Sequence, residues 1–143
     1  MKLFVTGGAG FIGSNFVRMA LNGRLPGLED AEITVFDALT YSGTLTNLES
    51  VADHPRFSFV KGDIRDASAV AEALPGHDAV VHFAAESHVD RSVSEAGIFV
   101  ETNVGGTQTL LEAARTLGTG RFVHVSTDEV YGSIDEGEWD EDE

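Results

Sequence analysis

A glycine-rich turn near the N-terminus is the feature that most limits what this chain can fold into. The apolar residues 3–5 predict a buried strand, and residues 11–21 predict a helix that begins where the turn ends. Glycines have no Cβ atom, so they allow positive φ angles and a close approach of the backbone to a ligand. Because a helix N-terminus attracts anions, the pattern predicts a diphosphate-binding turn, with a plain tight turn as the alternative. The glycines are Gly7, Gly8, Gly10 and Gly13.

An acidic residue follows the second predicted strand. Residues 32–36 read as a buried strand, and Asp37 lies directly after it. A carboxylate at this point accepts hydrogen bonds from both hydroxyls of an adenosine ribose and repels a 2′-phosphate. No arginine follows Asp37 closely, so the sequence predicts NAD rather than NADP as the ligand. The alternative is a solvated acid that opens a turn.

The composition limits the classes of partner. The 143 residues suffice for one domain with a core, and the formal net charge of −15 argues against nucleic acid or an anionic membrane surface. The chain has no cysteine, which excludes disulfides, and no histidine spacing typical of a metal site, so no metal is expected. Lys2 leads directly into the first strand and no apolar run is long enough to span a membrane. We therefore expect a cytoplasmic protein.

Strands and helices alternate along the chain. Helices are predicted at residues 11–21, weakly at 45–52, at 67–74 behind a capping Asp66, and at 94–117 before Gly118. Buried strands separated by helices predict an α/β fold, a Rossmann-type doubly wound parallel sheet with the strand order 3-2-1-4-5. The five predicted strands lie at residues 3–5, 32–36, 57–60, 79–83 and 122–125.

The carboxyl ends of these strands meet at one edge of the sheet, where ligands of such folds bind. Asp128 and Glu129 follow the fifth strand as adjacent carboxylates, which can divide the roles of acid and base if the site raises the pKa of one of them. A surface acid pair that opens a loop is the alternative. The same edge also carries the glycine turn, Asp37, Asp63, residues 83–87 and residues 126–127.

Several motifs in this sequence are typical of one family. The motif at residues 6–13 marks a whole superfamily, whereas the runs at 82–92 and 126–132 are far more specific. On these residues the chain resembles the extended short-chain dehydrogenase/reductases, and among them the dTDP-glucose 4,6-dehydratases, over essentially its whole length. The motifs that carry the resemblance are residues 6–13, 37–41, 62–64, 82–92, 101–103 and 126–132.

The resemblance implies a lyase that binds NAD and the nucleotide sugar dTDP-glucose. Hydride moves from C4 of the sugar to NAD and returns to C6, and the loss of water gives a 4-keto-6-deoxy sugar. The implied catalytic residues are Glu129 as the base at C5, Asp128 as the acid at the C6 hydroxyl, and Thr127 at the C4 oxygen. Thr127 and Ser87 are implied to bind substrate. The implied cofactor-binding residues are Gly7, Gly10, Phe11, Ile12, Gly13, Asp37, Ala38, Leu39, Thr40, Asp63, Ile64, Phe83, Ala84, Ala85, Glu86, Ser87 and Thr102.

The chain departs from the family pattern in one respect. The family has a tyrosine base with a lysine four residues later, and neither Tyr41 nor Tyr131 is followed by that lysine. We therefore expect residues 1–134 to form an NAD-binding Rossmann domain that is incomplete at its C-terminal side, and residues 135–143 to form an acidic tail leading into a missing region. We expect little activity from the chain alone, and a homodimer for the full-length protein. The alternatives are a related sugar-nucleotide epimerase or decarboxylase, and a non-catalytic NAD-binding module.

Overall fold

The molecule is a five-stranded parallel sheet with helices on both faces. The computed structural model describes residues 1–134 and 136–140, and for Asp128 and Glu129 it describes only the backbone. Part of the predicted acidic tail, at positions 135 and 141–143, lies outside the described residues. All strands pair in parallel in the order β3-β2-β1-β4-β5, which confirms the predicted topology. The strands are β1 (Lys2–Thr6), β2 (Glu32–Asp37), β3 (Phe57–Lys61), β4 (Ala79–His82) and β5 (Arg121–His124).

The helices begin and end largely where local signals predict. Asp66 caps the second helix, because its carboxylate accepts hydrogen bonds from the N–H groups of Ser68 and Ala69. Gly118 ends the fifth helix in a left-handed conformation with φ of 70°. The helices are α1 (Phe11–Leu21), α2 (Ala67–Ala73), α3 (Val89–Ser94), α4 (Ala96–Phe99) and α5 (Thr107–Leu117), with 3₁₀ helices at Leu45–Val51 and Asp128–Tyr131 and a π-helical segment at Val100–Gly106.

Two apolar layers cover the sheet. Successive side chains of β1 point to opposite faces, so Leu3 and Val5 pack with α1 and the first 3₁₀ helix, whereas Phe4 packs with α2 and α5. The Phe4 ring is fully buried, and its centroid lies 5.2 Å from that of Phe36. Burial of such a side chain contributes about 1.5–3 kcal/mol. Because helices cover both faces, the ends of the strands are left as the place for a binding site.

The long helix predicted at residues 94–117 is wrong in its details. Helical structure begins earlier, at Val89, is interrupted at Glu95, and passes through the π-helical segment before α5. Only Leu110 and Ala114 of α5 are buried, while Leu111 of the same helix is half exposed. The spacing of apolar residues predicted neither the break at Glu95 nor the π-helical segment, which contains Asn103, a residue with contacts outside the helix that are described below.

The prediction of five buried strands is also too simple. The central strands β1, β2 and β4 are mostly buried, whereas β3 and β5 form the edges of the sheet and are half exposed or exposed along their length. An apolar run does not reveal whether its strand lies at the centre or at an edge. Within the described ranges, none of the helices combines the length and the apolar character needed to cross a membrane.

Candidate functional site

A cavity of about 410 Å³ lies at the carboxyl ends of the strands. It is within the size range typical of small-molecule sites. Its walls include every residue that the family resemblance assigns to cofactor or substrate binding, apart from Leu39. Leu39 instead packs against the apolar core. Its backbone has a positive φ of 54°. The lining residues to which the sequence assigned no binding role are Phe36, Ser42, Gly43, Gly62, Arg65, Val125 and Ser126.

The glycine turn brings the start of α1 to the cavity. Gly10 is the N-cap of α1, and no side chain caps this end of the helix. The first N–H groups of a helix lack intrahelical acceptors, so they are available to an anion, which the helix dipole also favours. Gly7 has a φ of 69°, and a Cβ atom there would lie 2.5 Å from the backbone nitrogen of Ala84. Two strand ends therefore approach each other so closely that only glycine fits between them.

Asp37 is held at the cavity wall by the backbone. One carboxylate oxygen accepts a hydrogen bond of 2.9 Å from the Ala9 N–H, and the other accepts one of 2.8 Å from the Leu39 N–H. Asp37 as a whole is buried, and it also lines the cavity. An ionised carboxylate has further lone pairs beyond the two in use, so it can also accept hydroxyl hydrogens. The geometry fits the ribose role better than that of a solvated acid.

Asn103 joins the π-helical segment to the loop after β4. Its side-chain amide donates to the Glu86 carbonyl and its amide oxygen accepts from the Glu86 N–H, both at 2.8 Å. This pair of hydrogen bonds fixes the backbone of a cavity-lining residue, and the neighbouring Thr102 also lines the cavity. π-helical turns are rare and frequently occur at functional sites. Asn103 lies in one of the motifs that carry the family resemblance, but the spacing of that motif did not predict the contact with Glu86.

The end of β5 places Thr127 and Ser126 at the same cavity. The 3₁₀ helix at Asp128–Tyr131 follows directly, so the backbone of the adjacent acids lies beside this wall. The side chains of Asp128 and Glu129 are outside what the structure describes, and their predicted roles stay predictions. The Trp139 ring stacks on the Tyr131 ring with centroids 6.2 Å apart. This contact places Trp139 next to the end of the 3₁₀ helix at Asp128–Tyr131.

His82 is a buried strand residue beneath the site. Its Nδ1 lies 2.7 Å from the Thr6 hydroxyl and its Nε2 lies 3.0 Å from the Thr107 hydroxyl, so it links β1 to α5. Burial, and then the neighbouring His124, lowers the pKa of His82 to about 4. The ring is therefore neutral near pH 7 and acts as a hydrogen-bonding strut.

Lowering the pH is expected to destabilise the fold through His82. The unfolded histidine binds a proton below about pH 6.5, whereas the folded one binds it only near 4, so stability falls as the pH drops between these values. Between pH 7 and pH 5, the free energy of unfolding measured in urea should fall by roughly 2 kcal/mol more for the wild type than for His82→Gln. Equal losses in the two proteins would contradict the assignment of this pH dependence to His82.

Comparisons with known proteins agree on the family. The sequence model of the family described as GDP-mannose 4,6 dehydratase matches residues 4–143. A dTDP-glucose 4,6-dehydratase from Streptomyces niveus is 60% identical over 142 residues, which are 99% of this chain and 42% of that protein. This chain therefore spans less than half the length of that relative.

Solved structures agree with the fold. The dTDP-glucose 4,6-dehydratase DesIV from Streptomyces venezuelae, solved with NAD and TYD bound, superimposes with a TM-score of 0.94 at 62% identity, covering 97% of this chain and 43% of that one. A UDP-Glc/GlcNAc 4-epimerase from Campylobacter jejuni superimposes with a TM-score of 0.83 at 31% identity, covering 94% of this chain and 40% of that one. The match over residues 4–143 shows that the chain belongs to the GDP-mannose 4,6 dehydratase family.

Proposed function

We propose that these residues form the NAD-binding part of a dTDP-glucose 4,6-dehydratase. The observation that carries the proposal is the meeting of the glycine turn, the buried Asp37 and Thr127 at one cavity. Identity of 60% to a dTDP-glucose 4,6-dehydratase along nearly the whole chain supports the same substrate class, and 31% identity to a 4-epimerase supports the epimerase alternative less.

The residues of the cavity fit NAD. The uncapped start of α1, at Phe11 and Ile12, would hold the diphosphate, and a Cβ atom on Gly13 would fill part of this cradle, since it would lie 2.3 Å from the Gly7 oxygen. Asp37 would accept the ribose hydroxyls, which favours NAD over NADP because a 2′-phosphate would meet its charge. When bound, NAD supplies a hydride acceptor and donor.

The residues after β5 would carry the proton transfers. Glu129 would remove the C5 proton of the sugar, and Asp128 would protonate the C6 hydroxyl as water leaves. Thr127, which lines the cavity, would hydrogen-bond the C4 oxygen, and Ser87, in the segment after the neighbouring strand β4, would contact the substrate. Two carboxylates on neighbouring positions can serve two atoms of one sugar ring, which is what this reaction needs.

The proposal is tested by binding and by product. Calorimetry should detect binding of NAD by the 143-residue chain and weaker binding of NADP. The natural polypeptide that carries these residues, given NAD and dTDP-glucose, should form a product lighter by one water, observed by mass spectrometry. A product of unchanged mass would support an epimerase instead, and NAD binding with no product would support a non-catalytic module.

We also propose that the natural protein is a homodimer that uses the helical region after β4. Val100 and Val104 of the π-helical segment are 61% and 64% exposed, and Leu111 of α5 is 47% exposed. The three residues lie in consecutive helical segments, and exposed apolar patches on a protein surface mark interaction sites. Sedimentation of the natural polypeptide should show a dimer, and Val100→Glu should give monomer. The matched control Leu45→Glu, at an exposed leucine elsewhere, should stay dimeric, and a dimeric Val100→Glu would contradict this interface.

A further inference from the structure

The carbonyl group of Ala9, in the glycine turn, is held from outside the cavity. Its oxygen accepts a hydrogen bond of 2.8 Å from the side-chain amide of Asn47 and one of 3.2 Å from the Thr44 N–H. Thr44 is the N-cap of the 3₁₀ helix Leu45–Val51, which contains Asn47. Among the described residues that line the cavity, none of these three occurs. The Ala9 carbonyl therefore points away from the cavity.

The other polar groups around Ala9 are bonded as well. The Ala9 N–H donates to the Asp37 carboxylate at 2.9 Å, and the Gly10 N–H donates to the Gly7 carbonyl at 3.1 Å. The peptide group between Ala9 and Gly10 is thus held by its oxygen on one side and by its N–H on the other. The next N–H along the chain, that of Phe11, belongs to the uncapped start of α1.

Asn47 is itself fixed to α1. The guanidinium of Arg18, on α1, donates to the Asn47 carbonyl at 2.6 Å and to the Ser14 hydroxyl at 3.3 Å. Leu48 and Val51, in the same 3₁₀ helix as Asn47, are buried in the apolar layer that α1 covers. The Asn47 amide therefore holds the turn from a position that other contacts determine.

The orientation of the peptide after Ala9 affects the charge that the turn presents to an anion. With the carbonyl held away, the free N–H groups and the positive end of the helix dipole face the cavity. A rotated peptide would turn a carbonyl oxygen toward that place, where it would repel a diphosphate. Without Asn47, only the longer hydrogen bond from Thr44 would hold the Ala9 oxygen among the contacts described above.

We infer that Asn47 is a positioning residue that orients the glycine turn for the diphosphate of NAD without touching it. This inference rests on the proposed binding of NAD. The sequence assigned no role to Asn47, since the motif at residues 37–41 ends before it. The ribose of NAD should be affected less than the diphosphate, because Asp37 also keeps its hydrogen bond from the Leu39 N–H.

Asn47 can instead serve only the stability of the fold, as a link between the 3₁₀ helix and the turn. A purely structural role predicts that its loss lowers the free energy of unfolding and weakens all ligands of the cavity alike, or none of them. A positioning role predicts that ligands with a diphosphate weaken more than a ligand without one. ADP-ribose and adenosine provide this comparison, because they share the base and the ribose that Asp37 would bind.

The test uses the natural polypeptide that carries these residues, freed of bound nucleotide. Calorimetry measures its affinity for NAD and ADP-ribose, and ligand-observed nuclear magnetic resonance measures its affinity for adenosine. Asn47→Leu keeps the approximate size of the side chain, removes the donor and adds no charge. It should weaken NAD and ADP-ribose roughly three- to tenfold and leave adenosine within about twofold of the wild type.

Two further variants serve as controls. Asn47→Gln keeps an amide donor on a longer side chain and should recover part of the affinity for ADP-ribose that Asn47→Leu loses. The matched control Asn15→Leu replaces an exposed asparagine of α1 outside the cavity and should bind all three ligands as the wild type does.

The outcomes separate this inference from the proposed function. An unchanged affinity of Asn47→Leu for ADP-ribose, or an equal weakening of ADP-ribose and adenosine, would overturn the inference and leave the proposed function standing. If Asn47→Leu does not fold, Asn47→Ala also lacks the donor and is judged by the same two criteria. A wild type that binds neither NAD nor ADP-ribose would overturn both the inference and the proposed function.

Discussion

Gly13→Ala is expected to destabilise the fold by about 1–3 kcal/mol and to weaken NAD binding at least tenfold. A Cβ atom at residue 13 would lie 2.3 Å from the carbonyl oxygen of Gly7 and 2.9 Å from the Cα atom of Gly8. Both are backbone atoms of the turn, so the clash can be relieved only by moving the loop that would bind the diphosphate. The change acts on stability and on binding through the same displacement.

The expected sign is opposite to the usual effect of this substitution. Alanine in place of glycine inside a helix normally gains roughly 0.5–1 kcal/mol. Gly97 of α4 supplies the matched control, because a Cβ atom there would meet nothing within 4 Å. In urea unfolding, the stability of Gly97→Ala should therefore equal or exceed that of the wild type, and the stability of Gly13→Ala should be lower. In NAD titration, Gly13→Ala should likewise bind NAD more weakly than Gly97→Ala. A stabilised Gly13→Ala with normal NAD affinity would refute the close-packed turn.

The sequence predicted those features that local chemistry determines. The start of α1, the cap at Asp66 and the end of α5 at Gly118 each depend on a few neighbouring residues. The strand order follows from the alternation of strands and helices, because right-handed crossovers leave few other arrangements. The predicted site followed from this topology, and the same argument brought Asp37 to the cavity.

Features that depend on distant contacts were not predictable. Asn103 holds Glu86, 17 residues away, and this pairing accompanies the π-helical segment in place of a regular helix. No periodic pattern records such a pairing. Arg65 did carry a local signal, since an aspartate two residues before an arginine can bond both its backbone N–H and its guanidinium. This local pattern does not by itself indicate a binding role, and the structure adds that Arg65 lines the cavity.

Glu129→Gln is expected to lower the exchange of the sugar C5 proton by about 10²–10⁴-fold. The proposal gives Glu129 the role of base at C5, and glutamine keeps the size of the side chain but cannot accept that proton. The natural polypeptide is incubated with NAD and dTDP-glucose in heavy water, and the deuterium incorporated at C5 of the sugar is measured. Nuclear magnetic resonance reports the isotope at C5 separately from the loss of water at C6.

The neighbouring acid provides the control that separates the two roles. Asp128→Asn should keep exchange at C5 near the wild-type rate and lower the loss of water, because the amide cannot protonate the departing C6 hydroxyl. Both variants remove one negative charge from adjacent positions after β5, so a general change in the charge of the site would affect them alike. Loss of C5 exchange in Glu129→Gln, together with retained exchange and slower loss of water in Asp128→Asn, would therefore assign base and acid to different residues. Wild-type exchange in Glu129→Gln would rule out its role as the base, and equal loss of both steps in the two variants would mean that the pair acts as one unit.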